Sequence, residues 1–215
     1  MRQSVSRFGR IDVLVNNAGD GVIGAVEETP EDQLRAQMET NFFGAVAVTR
    51  AFLPQLRRQR SGAIVNISSL GGQLAVAGLG AYCASKFALE GLSEALAQEL
   101  KPHGVKVLIV EPGSFRTSLL GGSLKSMPET DAYAASAGQI RMGMRAMHEK
   151  QQGDPFKAAR AVDIALEDAN TPLRLQLGQD AVGMIRVHAQ GMLADMEKWE
   201  QVAVDTQFAD AAAKK

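Results

Sequence analysis

The sequence predicts an α/β fold built on a parallel sheet with helices on both faces. Three observations carry that reading. Short continuous apolar runs recur along the chain, at IDVLV, AIVNI and VKVLIV. Long segments of helical periodicity separate them, and glycine-rich turns follow the first two runs. Strands buried on both faces read as unbroken apolar runs, and strand–helix alternation is the signature of a parallel sheet.

The elements follow in order. Ile11 to Val15 is a short buried strand, and Asn16 to Glu28 is rich in glycine and turn formers. Thr29-Pro30-Glu31-Asp32 opens a helix: Thr29 is a capping residue, Pro30 suits the first helical position, and the acids favour the positive helix end. That helix runs towards Leu56, with Pro54 expected to bend or end it. Arg57, Arg58 and Arg60 suit a solvated helix C-terminus. Ala63 to Ile67 is the second strand, and Ser68 to Gly80 is a loop. A helix is expected from about Ala81 to Leu100, closed by Gly104 in the left-handed conformation. Val105 to Val110 is the third strand, ended by Pro112-Gly113. Residues Ser114 to Asp154 are polar and methionine-rich, with no β pattern and some helical stretches. A helix over Pro155 to Glu167, a strand over Leu173 to Leu177 and a helix over Asp180 to Ala203 complete the chain, with DAAAKK as a frayed tail. The absence of internal repeats and linkers makes residues 1–215 one domain.

Bulk properties narrow the function. The chain has 215 residues, 46% of them hydrophobic, which is enough for a substantial core. A net charge of -1 argues against nucleic-acid binding, which shows as a basic surplus. The single cysteine, Cys83, excludes an internal disulfide and fits a reducing compartment. No secretory signal or membrane span of roughly 18 apolar residues is evident, so a cytoplasmic, non-membrane protein is the expectation.

Tyr82 and Lys86 lie four apart at the start of the second long helix, on one face. A free phenol titrates near pH ~10, and a neighbouring ammonium lowers that value, so the pair suits acid/base work. Ser68 and Ser69 follow a strand and reach the sheet end where α/β proteins bind ligands. Asn41, mid-helix in TNFFG, is unfavourable there on propensity alone. Taken singly, each has an ordinary explanation: a chance helix pair, a turn serine, a back-bonding asparagine.

As a set, they resemble a known family. NNAG at Asn16 to Gly19, Asn41, the NISS segment ending at Ser69, YCASK from Tyr82 to Lys86, and Pro112-Gly113 with Thr117 following are similar to short-chain dehydrogenase/reductase motifs, in the family's order and spacing. The resemblance covers residues 5 to 120 strongly. It implies a Rossmann-like doubly wound sheet and an oxidoreductase moving a hydride between NAD or NADP and an alcohol or carbonyl substrate. In that reading Tyr82 exchanges the substrate proton, Lys86 lowers its pKa and holds the nicotinamide ribose, and Ser69 positions the carbonyl oxygen. Asn41 supports a water-linked relay to Lys86. Asn17, Ala18 and Gly19 pack beside the adenosine side of the cofactor, and Pro112, Gly113 and Thr117 line the nicotinamide. The resemblance further implies a substrate lid over 114–154 and a homodimer or homotetramer built on the helices beginning near Pro30 and Ala81.

The chain also departs from the family pattern. The first strands and the glycine-rich turn that takes the pyrophosphate are expected to be lacking, so the chain reads as the C-terminal part of the fold with an exposed apolar edge at its first strand. Gly19-Asp20-Gly21-Val22-Ile23-Gly24 matches G-x-G-x-x-G literally, but does not open directly into a helix and is not read as the phosphate site. A second reading stays open: a shortened, non-catalytic relative that cannot bind the dinucleotide alone and serves as a dimerisation partner. Elsewhere the plain readings are preferred. Cys83 packs, His103 complements a helix end, and isolated His148 and His188 make no metal site. The methionines from Met127 to Met147 line a lid or fill a core, and Trp199 packs.

Overall fold

The computed structural model describes residues 2–206 and 208; the expected DAAAKK tail lies outside them. The elements run α1 (Arg2–Phe8), β1 (Val13–Asn16), β2 (Gly21–Ile23), α2 (Glu31–Met38), α3 (Gly44–Gln59) and β3 (Ala63–Ile67). Then come α4 (Gly80–Leu100), β4 (Lys106–Pro112), β5 (Leu124–Ser126), α5 (Ala137–Met147), α6 (Pro155–Glu167), β6 (Arg174–Leu177) and α7 (Gln179–Val204).

The main sheet has the order β1-β3-β4-β6, and all its pairings are parallel. Its two faces follow from the two-residue strand period. Leu14, Ile64 and Val107 point one way and pack with Leu56 of α3 and Leu96 and Leu100 of α4. Val65, Leu108 and Val110 point the other way, against Ala165 of α6 and Leu177. β1 departs from the fully covered pattern. It is an edge strand, and its Val13 and Val15 are 43% and 52% exposed because no helix among the described residues packs over that end of the face.

Several boundaries differ from the sequence expectation for local reasons. Thr29 is not the cap of α2; its hydroxyl donates to the Ala25 carbonyl, and Pro30 occupies the capping position with no side-chain bond. The helical run does not stop at Pro54 but continues to Gln59, because the lost backbone bond falls on an exposed face. A π-helical turn, Glu39–Phe43, separates α2 from α3 and contains Asn41. Two three-residue strands inside expected loops, β2 and β5, pair in parallel as a separate ribbon. Gly24 lies beside that ribbon because a Cβ there would stand 2.6 Å from Met127 Cβ. The literal G-x-G-x-x-G thus serves close packing: β2 occupies its middle, and the next helix begins only at Glu31. Helix α6 begins as read, with Pro155 in its first turn and Asp154 accepting from the Phe156 and Lys157 N–H groups.

The 114–154 segment is tied down by charge. Glu28, buried, accepts from the Ala25 N–H at 2.8 Å and the Thr130 N–H at 2.7 Å, and pairs with buried Arg141 of α5 at 3.1 Å. Met127 joins Val22 and Ala81 in a small core, whereas Met142 and Met147 are exposed. Trp199 does not pack as expected: the outer half of α7 carries it 57% exposed among other exposed apolar residues.

Leu108 is fully buried at the centre of the sheet. Leu108→Ala should therefore lower unfolding free energy by about 2–5 kcal/mol, read from the urea midpoint at constant m.

Candidate active site

Helix α4 and the tip of β3 bring the expected pair and the serine together. Lys86 is buried and donates from Nζ to the Ile67 carbonyl at 2.9 Å, which ties the helix to the strand end. The same ammonium stands 5.8 Å from the Tyr82 ring centroid, as the four-residue spacing requires. Ser69 has extended backbone and its Oγ accepts from the Gly71 N–H at 3.0 Å, leaving its hydroxyl hydrogen free to donate. Ser69 and Tyr82 line the same cavity.

The electrostatics differ from the simple pairing argument. Burial pushes the Tyr82 phenol above its ordinary value, and Ser69 only partly opposes it. A phenol raised in this way is neutral, the acid form, at neutral pH. Burial also lowers Lys86 to about 8, against the opposing charges of Asp20 and Glu90. The adjacent Cys83 thiol is buried and pushed up by that burial, as suits packing rather than reactivity.

Asn41 is buried and fully engaged. Its Oδ1 accepts from the Asp20 N–H at 3.1 Å, and its Nδ2 donates to the Asp20 carbonyl at 3.0 Å and Ser85 Oγ at 3.0 Å. The Ser85 hydroxyl in turn donates to the Tyr82 carbonyl at 2.7 Å. The turn after β1 is thus coupled to α4 through one amide. Gln37, one turn earlier, donates to the Asp20 carbonyl and to Asp20 Oδ1 at 2.9 and 2.8 Å. Gln37 of α2 and Asn41 of the π turn thus both direct amides at Asp20.

Asp20 borders a cavity of about 670 Å³ at the carboxyl ends of the strands; Asn41, Gln37 and Ser85 lie behind it and do not line it. Asn17, Gly19, Ser69, Tyr82, Lys86, Pro112, Gly113 and Thr117 line it; Ala18 does not. Gly19 lies closest to the chemistry, since a Cβ there would be 3.3 Å from Asn41 Oδ1 and 3.7 Å from Lys86 Nζ. A Cβ at Gly113 would sit on the Asp180 carboxylate, whose Oδ2 accepts from the Ser114 N–H at 2.7 Å. Sequence reasoning missed Asp20, Gln37 and Ser85. Their signals were an acid directly after NNAG, a polar residue four before Asn41 and a serine inside YCASK. It also missed the apolar wall of Val15, Phe115, Ala158 and Val162.

A family model described as short chain dehydrogenase matches residues 1–128. The oxidoreductase BOA17 of Botryotinia fuckeliana is 39% identical over 198 residues, covering 92% of this chain and 72% of that protein. The crystal structure of a short-chain dehydrogenase from Streptomyces avermitilis superposes with a TM-score of 0.90 at 50% identity, over 96% of this chain and 75% of that one. An alcohol dehydrogenase from the archaeon Thermococcus sibiricus, complexed with 5-hydroxy-NADP, gives 0.64 at 26% identity, over 82% of this chain and 66% of that one.

Asn41→Ala leaves the part-buried Asp20 N–H without its acceptor and removes the donor to Ser85 Oγ, while the Asp20 carbonyl keeps Gln37. It should lower unfolding free energy by about 1–3 kcal/mol in chemical denaturation.

Proposed function

The chain belongs to the short-chain dehydrogenase family, and from that premise we propose that it transfers a hydride between NAD or NADP and the carbon of a small-molecule alcohol/carbonyl pair. The observation that carries the reading is the convergence of Tyr82, Ser69 and Lys86 on one cavity wall. The residues present fit the nicotinamide–ribose end of such a cofactor: Gly19 leaves open space beside Lys86, and Pro112, Gly113 and Thr117 line the same cavity. When bound, the nicotinamide supplies or accepts the hydride.

The chain's own groups handle the proton. In the reducing direction the neutral Tyr82 phenol donates to the substrate oxygen. The Ser69 O–H gives that oxygen a second hydrogen bond where negative charge develops. Lys86, held by the Ile67 carbonyl, places a positive charge beside the phenol and stabilises it after the proton has left. Asn41 and Gln37 fix the Asp20 turn, whose charge in turn favours the protonated Lys86. The apolar wall of Phe115, Ala158 and Val162 suits a substrate with an apolar body, and the 114–154 segment acts as the lid.

Association of two copies through α2, α3 and α4 belongs to the same proposal. Leu34, Phe43 and Val48 on the first two helices and their π turn, and Phe87 on α4, are exposed apolar groups that a partner would cover. The same face supports the second reading, a non-catalytic dimerisation partner. Nicotinamide binding by this chain separates the two. A cytoplasmic location is proposed with it; no helix among the described residues is long and apolar enough to cross a membrane.

In assays with NADPH or NADH and a panel of ketones and aldehydes, Tyr82→Phe should cut kcat by about 10²–10⁴-fold or more while leaving the cofactor dissociation constant nearly unchanged. Ser69→Ala should cost about 10²–10³-fold in kcat. The parent rate should fall as pH rises through about 8, because Lys86 loses its proton there. A Tyr82→Phe chain with full activity would place the proton donor elsewhere.

A further inference from the structure

A second polar cluster lies below the cavity, and the proton transfer described above does not use it. Glu90 of α4 and Glu111 of β4 are 3% and 0% exposed. One guanidinium serves both: Arg174 Nε lies 3.0 Å from Glu90 Oε2 and 3.1 Å from Glu111 Oε1. The Ser68 hydroxyl donates to Glu90 Oε1 at 2.6 Å, the Gln73 amide donates to Glu90 Oε2, and the Gln176 amide donates to Glu111 Oε2 at 2.5 Å. Gly72 closes over the cluster because a Cβ there would overlap Ser68 Oγ and the Glu90 carboxylate.

The charges do not balance if both acids ionise. Helix α4 contributes Lys86 and Glu94 besides Glu90, β6 contributes Arg174, and the loop after β3 contributes only the neutral Ser68 and Gln73. Lys86 acts on Glu90 at a distance, while its Nζ is bonded to Ile67 and also faces Asp20. Arg174 is further shared with Glu94, which its Nη2 meets at 2.5 Å. Two buried carboxylates that share one guanidinium N–H favour a state with a single negative charge. Burial, and next the charge of Glu90, push the Glu111 carboxyl up to about 7.

We propose that Glu90 and Glu111 hold one proton between them and form a positioning pair that locks the strand tips bearing Ser69 and Pro112-Gly113 to the helix bearing Tyr82 and Lys86. The connections are short in every direction. Ser68, bonded to Glu90, directly precedes Ser69; Glu111 directly precedes Pro112; Glu90 lies one helical turn beyond Lys86. Loss of the shared proton sets two negative charges against each other beneath all three strand and helix ends. The effect on turnover rests on the dehydrogenase reading; the shared proton does not.

The direction with pH follows from linkage. The folded-state value lies above the ordinary 4.5 of a free carboxyl, so the proton stabilises the fold fully below that value. The contribution is lost as pH rises through about 7. Glu111→Gln keeps a donor towards Glu90 but cannot ionise.

Thermal midpoints of the parent chain and Glu111→Gln, measured from about pH 5 to about pH 9, test the pair. The parent midpoint should fall relative to the variant by roughly 5 °C or more over that range. Parallel curves would overturn the proposal. Infrared spectroscopy decides the matter even if the variant does not fold. The parent should show the carbonyl band of a buried protonated carboxylic acid below neutral pH, and lose it in alkali. Absence of that band also overturns the proposal. For positioning, kcat of the parent should drop more steeply with rising pH than that of Glu111→Gln, with a common substrate KM; equal dependence refutes that role. A chain that shows the band but binds no nicotinamide refutes the dehydrogenase reading and leaves the shared proton standing.

Discussion

The bond from the Lys86 ammonium to the Ile67 carbonyl fixes where helix α4 sits against the tip of β3, and the rest of the site depends on that placement. A lysine buried at a strand end needs a partner, and the last carbonyl of a parallel strand is an acceptor without a neighbour on that side. Once this bond is made, the helical period puts Tyr82 over the ammonium, and the loop returning from Ile67 brings Ser69 to the phenol. The geometry comes from two rigid elements rather than from a flexible loop.

The surroundings then set the protonation states. Burial favours the neutral forms of both Tyr82 and Lys86, and nearby carboxylates oppose it only for the lysine. The phenol is therefore an acid with a cation beside it, an arrangement suited to giving a proton to a carbonyl oxygen as hydride arrives at carbon. Polar residues further out act on position. Asn41 and Gln37 hold the Asp20 turn, while Glu90, Glu111 and Arg174 join β3, β4, β6 and α4 from below. Buried groups bonded in this way resist movement, because breaking one of these bonds leaves a charge or a donor unpaired.

Much of this was legible in the sequence because it is written in short-range rules. The β3 run AIVNI and the Pro155–Glu167 helix fall where composition and capping place them. Tyr82 and Lys86 share a face by spacing alone. What could not be read depends on contacts distant in sequence. Strands β2 and β5 are three residues each and exist because Gly21 and Leu124, a hundred residues apart, pack together. The π turn that carries Asn41 is not signalled by helix propensity, and the bonds of Gln37 and Asn41 to Asp20 join segments distant in sequence. The raised Tyr82 value reflects desolvation, which a local Tyr–Lys argument omits. Glu111, at the end of an apolar strand, gave no hint of the acid and the arginine it meets. Trp199 departs from the packing expected of an aromatic in a helix, because none of the described residues buries it and it stays 57% exposed.

The central claim is that residue 82 is a neutral phenol held against a hydroxyl and an ammonium. Tyr82 and Tyr133 are the two tyrosines of the chain, so Tyr133→Phe leaves a single phenolic chromophore. Ultraviolet titration of that variant reports Tyr82 directly. The account predicts no phenolate absorbance until the pH exceeds the ordinary tyrosine range of about 10. Phenolate appearing near neutral pH would contradict it, because the side chain would then be a base held by Lys86 rather than an acid held by burial.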